Sequence, residues 1–434
     1  MNVTAGLLGL AALLFLLVLQ VPVAIAMVLV AFVGVWIMLG LAPAIGILAN
    51  TPYDFIASWT LSAVPMFLLM GFVAYHSGMT SGLFDAAKLG LRKVPGGLGI
   101  SAILACSGFA AVCGSSLATS ASMGRIAIPE MIKAGYKPSL ATGALAAGGT
   151  IGALIPPSIL MIIYGVFAEV SVTRVFLGGI SVGILTAIAY ILLILAIATW
   201  RKDIIPAVPI GVDELVPSKV FRAVWPILAL IVIVFGGLFS GQFTATEAGA
   251  VGAAGAIALA FLTGRLSWDV FRQSVLEALS TSASLFIIGV GAVMLTKFLG
   301  LSGVAGMISA AVQGSDLGYV EVMLIIVVIY LLLGMFMEPF GAMLVTLPVL
   351  LPVLHAQNVD LIWFGVFLVK LLEIGMITPP LGMNVFVIRN VAAKYASLGE
   401  IFRGIAPFVA IDLVLIGLLI AFPALVLILP RLLG

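Results

Sequence analysis

The chain has 434 residues, of which 63% are hydrophobic and 8% charged, with a net charge of +2 and a mean hydropathy of +1.35. An ordinary soluble domain carries about 25% charged residues, so the composition excludes one and describes an all-α polytopic membrane protein. No basic cluster is long enough to bind nucleic acid, and at about 20 apolar residues per span the length allows roughly ten to twelve spans plus re-entrant pieces.

In chain order the first half reads as spans near 4–20, 22–40 and 53–77, then an amphipathic piece, 79–95, that carries Lys88, Arg92 and Lys93. No Lys or Arg precedes Lys88, so Ala24-Ile25-Ala26 lacks the basic flank of a signal peptide and 4–20 reads as a retained span. A helical hairpin over 98–137 follows, then a discontinuous helix over 139–169 and a span over 175–199. Residues 200–221 form a polar linker with Arg201, Lys202, Asp203, Asp213, Glu214 and Lys219. The second half repeats the order, with spans over 222–240, 243–263 and 270–298 and an amphipathic piece over 300–318. A hairpin over 321–359, a discontinuous helix over 361–395 and a last span over 402–430 complete it.

The repetition is exact in spacing. Pro129 and Pro352 lie 223 residues apart, as do Gly152 and Gly375, and Pro156-Pro157 and Pro379-Pro380. The 48 glycines and 21 prolines are too many for plain helices, and broken backbone is tolerated at membrane depth only where protein or a water-filled cavity satisfies it. Matched, interrupted segments in two halves point to the midplane site of a secondary transporter. If the linker is cytoplasmic, Lys88, Arg92, Lys93, Lys133, Lys137, Arg265, Arg272, Lys394 and Arg403 share its side. The opposite loops carry Asp54, Glu169, Asp316, Glu321 and Asp360, with Arg174 and Arg431 as their basic members, as the positive-inside rule expects. The two hairpins then enter from opposite sides, which makes the halves an inverted repeat. Two full spans in place of the first hairpin would leave its polar tip, Gly114-Ser115-Ser116, without a purpose.

That tip continues through Thr119, Ser120 and Ser122. Hydroxyls and unwound backbone in hydrocarbon are costly unless something uses the oxygens. The facing break runs from Gly148 through Gly149, Thr150 and Gly152 to Pro156, Pro157 and Ser158, and its prolines free carbonyls of the preceding turn. Together they have the chemistry of a sodium site, with packing by small hydroxyl residues as the plain alternative. The second copy offers Glu338-Pro339-Phe340-Gly341 at the tip, and Glu373, Gly375, Thr378, Pro379, Pro380 and Asn384 at the break. Thr378 and Asn384 supply side-chain oxygens to a candidate second site. Glu338 is either a helix cap or a ligand or substrate gate, and Asn384 either a ligand or an interhelical hydrogen-bonder.

Ionisable groups within spans cost about 2.5–3.5 kcal/mol each at the helix centre. Lys297 either attracts an anionic substrate or extends to the headgroups, and Arg125 is a further anion candidate. Lys370 and Glu373, three apart, are expected to pair. Cys106 and Cys113 read as packing residues, and His76 and His355 as isolated polar contacts.

Several segments also resemble a known family. Gly114-Ser115-Ser116-Leu117-Ala118-Thr119, Ile128-Pro129-Glu130-Met131, Ala146 to Gly152, Ile155 to Ser158, Thr244 to Ala250, and Glu373 to Asn384 are similar to the large membrane subunit of tripartite ATP-independent periplasmic (TRAP) transporters, in the family's order from about residue 5 to 430. The resemblance implies an elevator-type inverted-repeat fold, with the modules 79–169 and 300–395 moving against scaffold formed by 1–77 and 222–298, 175–199 as a scaffold-side span and 402–430 as the last span. It implies sodium as coupling ion, no organic cofactor, and a bacterial or archaeal inner-membrane location among lipid. A periplasmic substrate-binding protein and a small four-helix membrane subunit are the implied partners. Ser115, Ser116, Thr119, Gly149, Thr150 and Pro156 would help form one sodium site, and Gly341, Gly375, Thr378, Pro379 and Asn384 the other. Thr246-Glu247 would be structural. Glu338 stands where the family often has Asp, and Lys297 where Arg is common, which removes the planar fork for carboxylates.

The implied activity is uptake of an organic acid anion, with Lys297, Glu338 and Arg125 as substrate candidates. A stand-alone sodium-coupled dicarboxylate or anion symporter is the alternative. A serine hydrolase would need a base beside Ser115 or Ser116, and neither histidine sits in a matching motif. A channel would not need two broken half-sites of opposite orientation.

Overall fold

Apolar runs punctuated by glycine, proline and capping side chains form twenty α-helices among the described residues. The computed structural model describes residues 2–205, 216–315 and 317–433; Asp213 and Glu214 of the expected linker, and Asp316, lie outside the described residues. The first half comprises α1 (Val3–Val18), α2 (Val23–Leu39), α3 (Leu41–Ile56), α4 (Ala63–His76), α5 (Gly82–Leu91), α6 (Gly97–Cys113), α7 (Ser116–Lys133), α8 (Pro138–Thr150), α9 (Ile159–Phe167) and α10 (Val172–Trp200). The second comprises α11 (Pro217–Phe239), α12 (Ala245–Leu262), α13 (Trp268–Ser302), α14 (Val304–Gln313), α15 (Tyr319–Phe336), α16 (Pro339–Ala356), α17 (Leu361–Gly375), α18 (Met383–Val391), α19 (Leu398–Ala421) and α20 (Ala424–Leu433). Among the described residues, eight stretches are long and apolar enough to cross a membrane.

The spacing of 223 residues carries through to the helices. It maps both ends of α7 onto those of α16, and brings α9 within one residue of α18. It also relates α2 to α12 and α4 to part of α13, and the structure packs α2 on α13 and α4 on α12. The two halves therefore exchange their framework helices across the centre of the molecule. Both hairpins, α6–α7 and α15–α16, and both interrupted helices, α8/α9 and α17/α18, form as the sequence predicts.

Local chemistry sets the ends. Thr244 and Glu247 make a reciprocal capping box at α12, and Ser397 and Glu400 make another at α19. Ser115, Ser158, Glu338 and Asp360 each accept backbone N–H bonds at the starts of α7, α9, α16 and α17, which satisfies donors that a helix leaves free. The charged stretch after α10 is tied below α8: Lys137 Nζ lies 2.9 Å from Asp203 Oδ2, and Lys137 N donates to the Ile204 carbonyl at 3.0 Å. Hydrogen bonds from Arg201 and Lys137 hold the Asp203 carboxyl below the usual carboxylate range.

Three expectations are corrected. The span over 53–77 is two elements: residues 41–56 form α3, and the continuous stretch starts at Trp59. Pro65 has no N–H to donate to a preceding turn, which favours a helix start just before it, where that donor is not needed. Its counterpart, Ile288, imposes no such limit, and α13 runs unbroken for 35 residues. The last span over 402–430 is α19 and α20, separated at Phe422-Pro423, where the residue before proline is forced out of the helical region (φ −131°, ψ 74°). Lys370 does not pair with Glu373; it reaches Asp412 Oδ1 on α19 at 2.6 Å.

Candidate functional site

The first hairpin tip and the first break are pressed backbone to backbone. Gly114 ends α6 in the left-handed region (φ +64°) and stands against the carbonyl of Pro157. A side chain there would be strained by φ and obstructed by the carbonyl. A Cβ at Gly152 would lie 2.6 Å from Thr119 Oγ1 and 2.8 Å from the Ser115 carbonyl oxygen, and one at Gly149 would lie 3.1 Å from the Ser116 carbonyl oxygen. The structure thus brings Ser115, Ser116, Thr119 and Gly149 together, with Thr150 buried in the same turn and donating to Ala147 O at 2.6 Å. Pro156 is buried in the break. Ser120, absent from the expected ligand set, is fully buried against Gly149 with its hydroxyl unpartnered. Neutral hydroxyls and freed carbonyls are the oxygens that an alkali cation takes in broken helices, and the orphaned Ser120 hydroxyl fits that use.

The second set is arranged differently. Asn384 is fully buried, and neither its Oδ1 nor its Nδ2 has a partner. Such a side chain costs roughly 1–3 kcal/mol per unsatisfied group unless a ligand uses it. Gly382 (φ +61°) turns the chain into α18 beside the carbonyls of Met376 and Thr378. Thr378 Oγ1 donates to Ile374 O at 2.6 Å, leaving its lone pairs available. Gly375 crosses Gly334 of α15, where a Cβ would meet the Gly334 Cα at 2.6 Å. Pro379 and Pro380 are exposed, whereas Pro156 and Pro157 are buried. Gly341 lies beside Val23 of α2, 3.3 Å from the position of a Cβ. Gly375, Thr378 and Asn384 share one break, and Gly341 lies in the first turn of α16 at the second hairpin tip.

A cavity of about 770 Å³ joins the two halves. The tips of both hairpins meet it through Ser115, Ser116, Glu338 and Phe340; the second break adds Glu373 and Met376; α13 adds Ser280, Thr281 and Ser284. None of the described residues lining it is Lys or Arg. Glu338 both lines the cavity and caps α16, accepting from Gly341 N at 3.0 Å. Arg125 lines a second cavity of about 400 Å³ with His76, Gln273 and Glu277, and both cavities share Phe72, Cys113 and Ala118. His76 Nε2 is 3.0 Å from Glu277 Oε2. Lys297 lies outside both: its Nζ donates to Thr51 of α3 at 3.0 Å.

Sequence reasoning missed Asp412, a lone carboxylate in an apolar span, and the cavity-facing role of Glu373. Asp412 accepts from Lys370 and, at 2.7 Å, from Tyr190 of α10. With Lys370 engaged there, Glu373 reaches the other way and accepts from Ser116 Oγ at 3.2 Å. The signal was present in both cases, because an acidic residue in a span needs a partner. Its partner lay too far along the chain to see.

Residues 10–425 match the family model described as tripartite ATP-independent periplasmic transporter, DctM component. The chain belongs to this family. It is a multi-pass TRAP membrane subunit, a transporter component rather than an enzyme. It is 34% identical over 408 residues to the C4-dicarboxylate TRAP transporter large permease protein DctM of Pseudomonas aeruginosa, covering 91% of this chain and 94% of that one. It is 33% identical to the isethionate TRAP transporter permease protein DctMQ of Oleidesulfovibrio alaskensis, covering 94% of this chain and 64% of the relative. It is also 33% identical to the sialic acid TRAP transporter permease protein SiaT of Haemophilus influenzae, covering 87% and 60%. Among solved structures, the YdaH transporter of Alcanivorax borkumensis aligns with a TM-score of 0.66 over 89% of this chain and 90% of that one, at 17% identity. That likeness is one of fold.

Proposed function

We propose that this TRAP subunit carries an organic acid anion into the cell, driven by sodium and supplied by a periplasmic substrate-binding protein. The observation that carries the reading is the junction of first hairpin tip and first break: hydroxyls and carbonyls of Ser115, Ser116, Thr119 and Ser120 converge on Gly149 and Gly152 at the edge of a substrate-sized cavity. Sodium at this junction, and at the second break by Thr378 and Asn384, would neutralise freed carbonyls and draw each break closed. The starts of α7 and α16 both reach the cavity, and their positive dipole ends favour an anion there without a basic side chain. Arg125 would receive the anion in the adjoining cavity.

In this reading α5–α9 and α14–α18 travel together as the moving body of an elevator. The exchanged framework of α2, α4, α12 and α13 stays fixed, and the inner membrane holds it with a small four-helix partner. With α7's base cytoplasmic, as Lys133 at its end and Lys137 just beyond it favour, the Arg125 cavity opens inward. The substrates named for the relatives, a C4-dicarboxylate, isethionate and sialic acid, are all acids, and delegation of selectivity to the soluble partner leaves the choice among acids to that protein.

The test is uptake in proteoliposomes containing this chain and its membrane partner, with or without the soluble protein, under an inward sodium gradient. Uptake is expected only with both, and Ser115→Ala or Thr378→Ala should weaken its sodium activation several-fold. Uptake with sodium alone would make the chain a stand-alone symporter, and uptake indifferent to sodium would remove the coupling ion.

A further inference from the structure

Among the described acidic residues lining the larger cavity, Glu373 is the one with a hydrogen bond from one half to the other. It is fully buried on α17, and its Oε1 accepts from the Ser116 hydroxyl, 257 residues away in sequence. Its Oε2 has no partner. The nearest cation along the helix, Lys370, gives its hydrogen bond to Asp412 instead. A buried carboxylate with a single neutral donor is strongly disfavoured unless a positive charge compensates it.

The geometry at Ser116 says where that charge belongs. A hydroxyl has one proton and two lone pairs. When the proton is given to Glu373, the lone pairs remain free, and the Ser116 carbonyl is already turned to Gly149 in the oxygen-rich junction. Met376 Sδ, 3.5 Å from the same hydroxyl, is a weak competitor for the proton. The position matched to Glu373 in the first half is Thr150, so the arrangement has no copy in the other repeat.

We infer that Glu373 is a positioning and charge-compensating residue for the cation site at the first hairpin tip. Its carboxylate orients the Ser116 hydroxyl, supplies the negative charge that a set of neutral oxygens lacks, and leaves Oε2 free to approach the cation. Because Glu373 lies two residues before Gly375, a cation bound in the first half also pulls on the break of the second. The two half-sites are thereby coupled through one hydrogen bond. This rests on the sodium reading above and adds to it a residue outside the expected ligand set.

The experiment measures thermal stability of the full chain in lipid nanodiscs against sodium chloride, with potassium and choline chloride as controls. Wild type should show a saturable shift specific to sodium. Glu373→Gln keeps an acceptor for Ser116 but removes the charge. It should melt no lower than wild type without sodium, and should need at least about tenfold more sodium for half of the shift, one decade being about 1.4 kcal/mol. Ser116→Ala should weaken sodium similarly, and the double variant should be no worse than the poorer single one, since contacting partners are not additive. A half-saturation for Glu373→Gln within twofold of wild type overturns the inference while leaving sodium binding intact. Independent, additive losses in the double variant overturn it as well. Should Glu373→Gln fail to fold, a normal sodium response in Ser116→Ala overturns the inference by itself. No sodium-specific shift in wild type would overturn the sodium reading and this inference together.

Discussion

Lys370, Asp412 and Tyr190 form a dry triad: both charged side chains are fully buried, and the tyrosine hydroxyl fills a second carboxylate lone pair. It ties α17 to α19 and α10 while leaving Glu373 free to face the cavity. A buried ion pair contributes little relative to apolar packing, yet breaking it strands a charge at about 3–5 kcal/mol. Lys370→Met is therefore expected to lower the melting temperature sharply, and Lys370→Met combined with Asp412→Leu to recover most of the loss. A double variant as unstable as the single one would mean that the pair itself, not the stranded charge, sets stability. Glu373 is the contrasting case: it is equally buried, but its carboxylate accepts only from the Ser116 hydroxyl, and its Oε2 has no hydrogen-bond partner.

Individual helices meet where glycine lets backbones touch. The end of α15 crosses the end of α17 at Gly334 and Gly375, with no room for a methyl group on either. Gly375→Ala should cost about 1–3 kcal/mol through overpacking and push the second break from the cavity, seen as a lower melting temperature with a weaker sodium response. Gly236→Ala on α11, where a Cβ would meet nothing within 4 Å, should be neutral or slightly stabilising, since alanine relieves glycine's entropic cost in a helix. Equal losses in the two variants would show that close approach at Gly375 is not the cause. The asymmetry between the breaks also belongs to this scale. The first is sealed by its hairpin, whereas the second exposes Pro379 and Pro380 and takes Glu373 to the opposite hairpin.

Across the whole molecule, α2 packs on α13 and α4 on α12, and both cavities are lined by residues of both halves. Ala118 on α7 and Gln273 on α13 line the same smaller cavity from the two sides. In a Cys113→Ala background, Ala118→Cys with Gln273→Cys should be bridged by mercuric ion in membranes, stopping uptake until a thiol reverses it. Complete bridging with undiminished uptake would show that α7 and α13 do not move apart during transport, and the elevator reading would fall.

The sequence by itself determined the membrane class, both hairpins, both interrupted helices and the family, because apolar length, proline placement and a fixed spacing are local or periodic signals. It also marked the polar tips, since hydroxyls in hydrocarbon are costly wherever they occur. It did not separate α3 from α4 or α19 from α20, although Pro65 and Pro423 were visible, because apolar continuity hides a break that only helix packing makes definite. The pairings across the molecule were decided by tertiary structure alone: Lys370 with Asp412, Glu373 with Ser116, Lys297 with Thr51 outside the cavities, Gly341 against Val23. Spacing along one helix predicts neighbours three or four residues away, but the partner of a buried charge is whichever group the fold brings within reach in a medium without water.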